Sequence, residues 1–303
     1  MRVIGQISVI LCIGATLTAQ APEDRAAKVL ADTRAALGGD AKLSAVRSFT
    51  TTGRTKRVQG ENLVPIEFEI AVEMPDKYLR KDEIPAQESD PTTTGFNGQA
   101  LLQVPPPASP EPRPGMPPPL PGQFENMLKQ RALTARQDFA RLMLGMFASS
   151  FTAYPLTFTY IGQAEAPQGK AHVLEATGEN NFKIRFFVHA QTSLPIMVSW
   201  SLPMPVPARP AARGRGEVTP SPAGPPSPSV SPSAAAPAPS SPPENRLYFA
   251  DYRDVDGLKW PFRLRRAIGV NTTEETTFDR FRINPKIDPR RFEVRTGTLE
   301  SNR

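Results

Sequence analysis

Apolar positions recur along the chain in two periods, and the change from one to the other marks its elements. Ile66, Phe68, Ile70 and Val72 alternate with Glu67, Glu69, Ala71 and Glu73, the period of two that buries one face of a strand and wets the other. The alternation returns at Phe182, Ile184, Phe186 and Val188, set against Lys183, Arg185, Phe187 and His189. Further strands are expected near 46–57, 77–84, 99–104, 156–163, 171–177, 195–201, 246–254, 258–268 and 275–283. Asn97-Gly98 and Asp256-Gly257 stand between such runs, and both dipeptides accept the positive φ of a tight hairpin.

Two segments carry the helical period instead. Pro22 suits a first turn, Glu23 and Asp24 suit its positive end, and Val29, Leu30, Thr33, Ala36 and Leu37 recur at helical spacing up to Gly38-Gly39. A longer helix is expected over 125–148. Leu128, Ala132, Ala135, Phe139, Leu142, Met143 and Met146 share one face, with Lys129, Arg136, Asp138 and Arg141 expected on the other. Its last turns, Leu142 to Phe147, are apolar all round, so that end is expected to be buried in protein or against a ligand.

Composition then divides the chain. Of its 35 prolines, ten fall between Pro105 and Pro121 and fourteen between Pro203 and Pro243. Chain so rich in Pro, Ala and Ser cannot bury enough apolar surface to offset its ordering entropy, so segments 105–123 and 203–244 are expected to be disordered. The strands beyond the second segment are too few for a core of their own and must complete the same sheet. The expected fold is α+β, mainly β: a strongly curved antiparallel sheet, or half-barrel, covered by a few helices. It forms a single domain over 20–303, interrupted by the two disordered Pro-rich loops.

The first residues point to export. Arg2, the apolar run from Val3 to Leu17 and the small residues Thr18, Ala19 and Ala21 have the order of a secretory signal. Cleavage follows Ala19 or Ala21, and Ala19 is the better site because Pro22 would follow the other directly. The run is shorter than the roughly 20 residues that span a bilayer. Cys12, the sole cysteine, lies inside this signal behind a bulky Leu11, so neither a lipid anchor nor a disulfide is expected. The product is expected in the periplasm or outside the cell.

The net charge of +6 is scattered along the strands, with one cluster at Arg209, Arg213 and Arg215. It has no basic stripe with aromatic platforms, so no nucleic acid is expected as a partner. Weak peripheral attraction to an anionic membrane fits the charge better than nucleic acid does, and a solvated linker is the plainer reading of the cluster.

The C-terminal run Tyr248-Phe249-Ala250-Asp251-Tyr252-Arg253, then Val255-Asp256-Gly257-Leu258 and Trp260-Pro261-Phe262, leads to Ile283-Asn284-Pro285-Lys286-Ile287-Asp288-Pro289 and Phe292. This succession resembles the LolA/LolB-like superfamily of periplasmic lipoprotein carriers, as does the Thr192-Ser193-Leu194-Pro195 turn. The resemblance implies a half-barrel whose open side is covered by helices and whose cavity holds acyl chains. The two proline segments depart from the compact carriers.

On that reading Leu142, Met143, Met146 and Phe147 are candidate lid residues, with Phe68, Phe182, Phe186, Phe249 and Trp260 as lining on the sheet. Methionine adapts to irregular shapes. The plainer alternative for each is ordinary core. His172 and His189 have no metal-ligand spacing, Asp251, Asp254 and Asp256 lack the rest of a calcium loop, and no nucleophile elbow or phosphate loop occurs. The expectation is therefore a monomeric, non-enzymatic carrier of lipid or lipoprotein acyl chains, without cofactor or metal. The alternative is a sensory envelope module of the same fold that binds a protein partner.

Overall fold

A computed structural model of the chain describes residues 21–108, 120–166, 169–201 and 243–293. The expected signal, most of both proline segments and the cluster at Arg209, Arg213 and Arg215 lie outside these residues. Among the described residues the chain begins with α1 (Pro22–Ala36) and α2 (Asp40–Ser44). A meander follows, made of β1 (Ser48–Gln59), β2 (Asn62–Glu73), β3 (Lys77–Glu83), β4 (Thr92–Asn97) and β5 (Ala100–Val104). The long helix α3 (Gln123–Phe147) leads to a second meander of β6 (Thr157–Ala166), β7 (Gly169–Gly178), β8 (Phe182–His189) and β9 (Pro195–Ser201). The last strands are β10 (Glu244–Val255), β11 (Leu258–Ile268) and β12 (Asn271–Ile283), and a 3-10 turn at Pro289–Phe292 ends the described chain.

All these strands join one antiparallel sheet in the order β5-β4-β3-β2-β1-β12-β11-β10-β9-β8-β7-β6, which does not close on itself. The strands made last therefore sit in the middle and join the two meanders. Strands from either side of the second proline segment pair directly, Ser201 opposite Glu244.

Alternation explains most of these elements. Phe182, Ile184, Phe186 and Val188 are buried, and so are Ile66, Phe68, Ile70 and Val72. Alternation does not predict α2, which is a single short helix, or β4, whose Thr92-Thr93-Thr94-Gly95 has no apolar face. The Asp256-Gly257 turn forms as expected, with both residues at positive φ between the paired Val255 and Leu258. At the other hairpin the loop is shifted by one residue: Asn97 still pairs with Ala100, and Gly98 takes the positive φ.

One apolar cluster runs from α1 across the inner face of the sheet to α3. α1 buries Ala26, Val29, Leu30 and Thr33, and Arg25 lies over the ring of Tyr160 on β6 at 4.1 Å. A second, smaller cluster of Ala71, Leu79, Leu102 and Phe292 occupies the outer face. The Asn284-to-Phe292 run thus acts as a clasp. Asn284 Oδ1 accepts the N–H groups of Arg47 and Ser48, its amide donates to Ala45 O, and Asn97 Nδ2 donates to Phe292 O at 3.1 Å. The residues that carry the family resemblance at this end serve the fold.

Candidate functional site

Because α3 is apolar all round in its last turns, it can fill the inner face of the sheet rather than lie on its surface. Every residue from Phe139 to Phe147 is buried. All nine candidate site residues belong to the one inner cluster: Leu142, Met143, Met146 and Phe147 from α3, Phe68 from β2, Phe182 and Phe186 from β8, Phe249 from β10, and Trp260 from β11. Their rings are packed on one another and on their neighbours. Phe147 meets Trp260 edge-on at 5.4 Å, Trp260 stacks on Phe281 at 4.8 Å, and Phe68 meets Phe278 edge-on at 5.5 Å. In this state the inner face is occupied by α3. Of the α3 candidates, Leu142 borders a small void of about 40 Å³ shared with Ile70, Leu247, Leu264 and Phe278.

Above that void the sheet opens into a cleft of about 550 Å³, whose walls come from β1, β3, β4, β9, β10, β11, β12 and α3. One cleft can touch so many strands only because the sheet curls around it. Tyr78, Arg80, Asp138 and Arg266 line both the cleft and the void, so charged groups reach from the mouth down to the apolar side chains below. Arg80 pairs with Asp82 at 2.6 Å and lies over the ring of Phe68 at 4.5 Å. Arg57 pairs with Glu274 at 2.6 Å. Arg266 is held more loosely, 3.5 Å from Glu274 and 3.9 Å from Asp138 of α3. Burial pushes the Tyr78 phenol up to about 12, so it remains a neutral hydrogen-bonding group through ordinary pH.

Arg141 corrects the sequence expectation for α3. Arg136 and Asp138, expected on the same outer face, are half-buried, and Arg141 does not face away with Lys129 but is 7% exposed. It donates to Asp138 Oδ1 at 2.8 Å and lies over Trp200 at 4.3 Å and Phe182 at 4.9 Å. Its planar cation can stack on rings where lysine could not, which is why a charged residue fits between α3 and β8–β9. Burial lowers its pKa, against the pull of Asp138. Helical spacing alone assigns the wrong face because the buried arc widens toward the end of the helix.

Two contacts tie the last turn of α3 to β10. Tyr252 Oη donates to the carbonyl of Gly145 at 2.9 Å, and a Cβ at Gly145 would lie 2.1 Å from Cε1 of Phe249. Burial holds the Tyr252 phenol well above its ordinary range. His189, the last residue of β8, accepts the N–H groups of Gln191 and Thr192 at Nδ1 and so shapes the turn before β9.

No protein-family model matches the chain, and no curated protein matches it. The chain is similar to a number of solved structures, among them three that cover most of both chains. One is a LolA superfamily protein from Nitrosomonas europaea, at 11% identity over 91% of this chain and 98% of that one, with a TM-score of 0.48. Another is a putative outer membrane lipoprotein-sorting protein domain from Vibrio parahaemolyticus, at 7% identity over 89% and 97%, with a TM-score of 0.46. A third is a DUF1329 family protein from Desulfovibrio piger, at 9% identity over 90% and 98%, with a TM-score of 0.45. At this level the likeness concerns the path of the chain and carries nothing about ligand or partner.

Proposed function

We propose that this protein is a non-enzymatic, periplasmic carrier that binds the acyl chains of a lipid or lipoprotein on the inner face of its sheet, with α3 as the part that gives way. The supporting observation is the way α3 occupies an unclosed sheet. The end of the helix that fills the inner face carries Met143 and Met146, side chains that repack readily, and Asp138 earlier on the same helix lines the cleft with the charged mouth. The void beside Leu142 marks where an apolar chain would first find room. Each methylene taken from water contributes about 0.8 kcal/mol, so a long acyl chain brings roughly ten kcal/mol toward displacing the helix. A soluble carrier must cover such a surface when empty, and α3 does so here.

The test is native mass spectrometry of the full chain, exported from a bacterial host and purified without detergent. Lipid or lipopeptide adducts, lost when Leu142 is enlarged to Trp to fill the void, are the expected result. A clean apo mass that persists after incubation with fatty acids and lipopeptides would overturn the proposal.

A further inference from the structure

β10 and β9 pair from Glu244 to Tyr248 on one strand and from Ser201 to Met197 on the other, and there they part. β10 continues to Val255, whereas β9 begins at Pro195, a residue with no N–H to offer a neighbour. The gap is a cleft of about 450 Å³, within the roughly 300–1,000 Å³ of small-molecule sites. Its apolar wall is Leu194, Ile196, Tyr248, Phe249 and Leu264. Phe249 is the ring that meets Gly145 of α3.

The rim has a different chemistry. Arg263 and Arg265 are two residues apart on one face of β11, both exposed and both lining the cleft. Neighbouring arginines are neutralised: Arg246 pairs with Glu244 and Arg253 with Asp251. Neither Arg263 nor Arg265 is in an ion pair among the described residues. Glu275 lines the same cleft and faces Arg265 in the register without bonding to it, while Arg265 lies over the Tyr248 ring at 4.3 Å.

We propose that this cleft is a binding site for an anionic single-chain amphiphile, a carboxylate or phosphate head held by Arg263 and Arg265 with its chain against Leu194, Ile196 and Phe249. Paired guanidinium groups beside an apolar wall match the charged head and apolar chain of a fatty acid or a lysophospholipid. The site shares Phe249 and Leu264 with the inner cluster and its void, but it opens at the parted strands and takes its charged rim from β11. Whether the amphiphile arrives as a monomer or from a membrane, the chemistry is the same.

The experiment is photolabelling of the full chain, first with photoreactive palmitate below its micellar concentration, then with phosphatidylglycerol vesicles carrying photoreactive lyso-phosphatidylglycerol. Adducts are mapped by peptide mass spectrometry. Labels on 190–196 are expected, and the arm that gives them identifies monomer or membrane as the source. Arg263→Glu/Arg265→Glu should cut this labelling about tenfold or more, one lost charge-assisted contact being worth about that factor. Arg263→Lys/Arg265→Lys should keep most of it, with circular dichroism checking the fold of both. Adducts confined to 139–147 would overturn this site while supporting the inner-face reading. Undiminished labelling in the glutamate variant would overturn the role of the arginines, and no adduct in either region would overturn the site outright.

Discussion

Phe249 lies directly against the backbone of Gly145, so close that a methyl group on the glycine would stand 2.1 Å from its Cε1. The last turn of α3 approaches β10 without a side chain between them, and Tyr252 completes the join through the Gly145 carbonyl.

This contact fixes the sign of Gly145→Ala. Alanine gains up to about 1 kcal/mol of helix propensity, but forcing a methyl into a packed core costs about 1–3 kcal/mol. The variant should be less stable in urea titration and should bind more of a dye for exposed apolar surface. In a Phe249→Ala background the same change should become neutral or stabilising, a coupling that a double-mutant cycle measures. Equal effects in both backgrounds would show that Phe249 does not set the constraint.

Alkali should loosen the protein through its tyrosines. Tyr78 and Tyr252 both have folded-state pKa values raised above the ordinary 10.0 by burial, Tyr78 to about 12 and Tyr252 by a large margin. Their raised values favour the neutral form in the folded state. Stability is therefore whole below pH 10.0 and falls as pH rises above it, until the folded groups also ionise. Denaturant midpoints across pH 9 to 12 should fall more gently in Tyr252→Phe than in the parent. Tyr252→Phe itself should lose about 0.5–1.5 kcal/mol at neutral pH for the missing hydrogen bond.

Arg141 and Asp138 should respond unequally. Asp138→Ala leaves the buried Arg141 guanidinium without its carboxylate, and such a loss exceeds the roughly 0–1 kcal/mol of an exposed pair. Arg141→Met removes the charge and leaves an apolar chain between Trp200 and Phe182, so it should be near neutral. Comparison of thermal midpoints decides, and a more harmful Arg141→Met would show that the stacked cation, not its neutralisation, is what matters.

The outer clasp should be needed for stability and not for ligand uptake. Phe292 is 1% exposed among Ala71, Leu79 and Leu102, and Phe→Ala at a buried site costs about 3–5 kcal/mol. Phe292→Ala should lower the melting temperature while labelling by photoreactive palmitate persists at temperatures where the variant is folded. Loss of labelling in the folded variant would tie the clasp to the binding sites.

Much of the fold is legible in the sequence because its elements are local. The alternation at Phe182–Val188, the Asp256-Gly257 turn and the long helical period around Phe139 each fall within a few residues of chain. β4 is not, since threonines and a glycine give no alternation, and its place is set by β3 and β5 on either side. The candidate residues are legible as a buried group, but their packing in one cluster depends on strands far apart in sequence. Arg141 escapes the helical pattern because its cover comes from Trp200 and Phe182, each on a different strand. The cleft beside Arg263 and Arg265 depends on where two strands stop pairing, which no single stretch of chain records.

The sheet's order has a consequence for how the protein is made. β1 and β9, the inner edges of the two meanders, are joined only by β12, β11 and β10, the last strands to leave the ribosome. Until then a growing chain carries two incomplete sheets, each with a bare backbone edge ready to pair with another molecule. Assembly of the whole is thereby postponed until the last of these strands has been made. A product stopped at residue 243 should scatter light as aggregates rather than persist as a smaller soluble sheet.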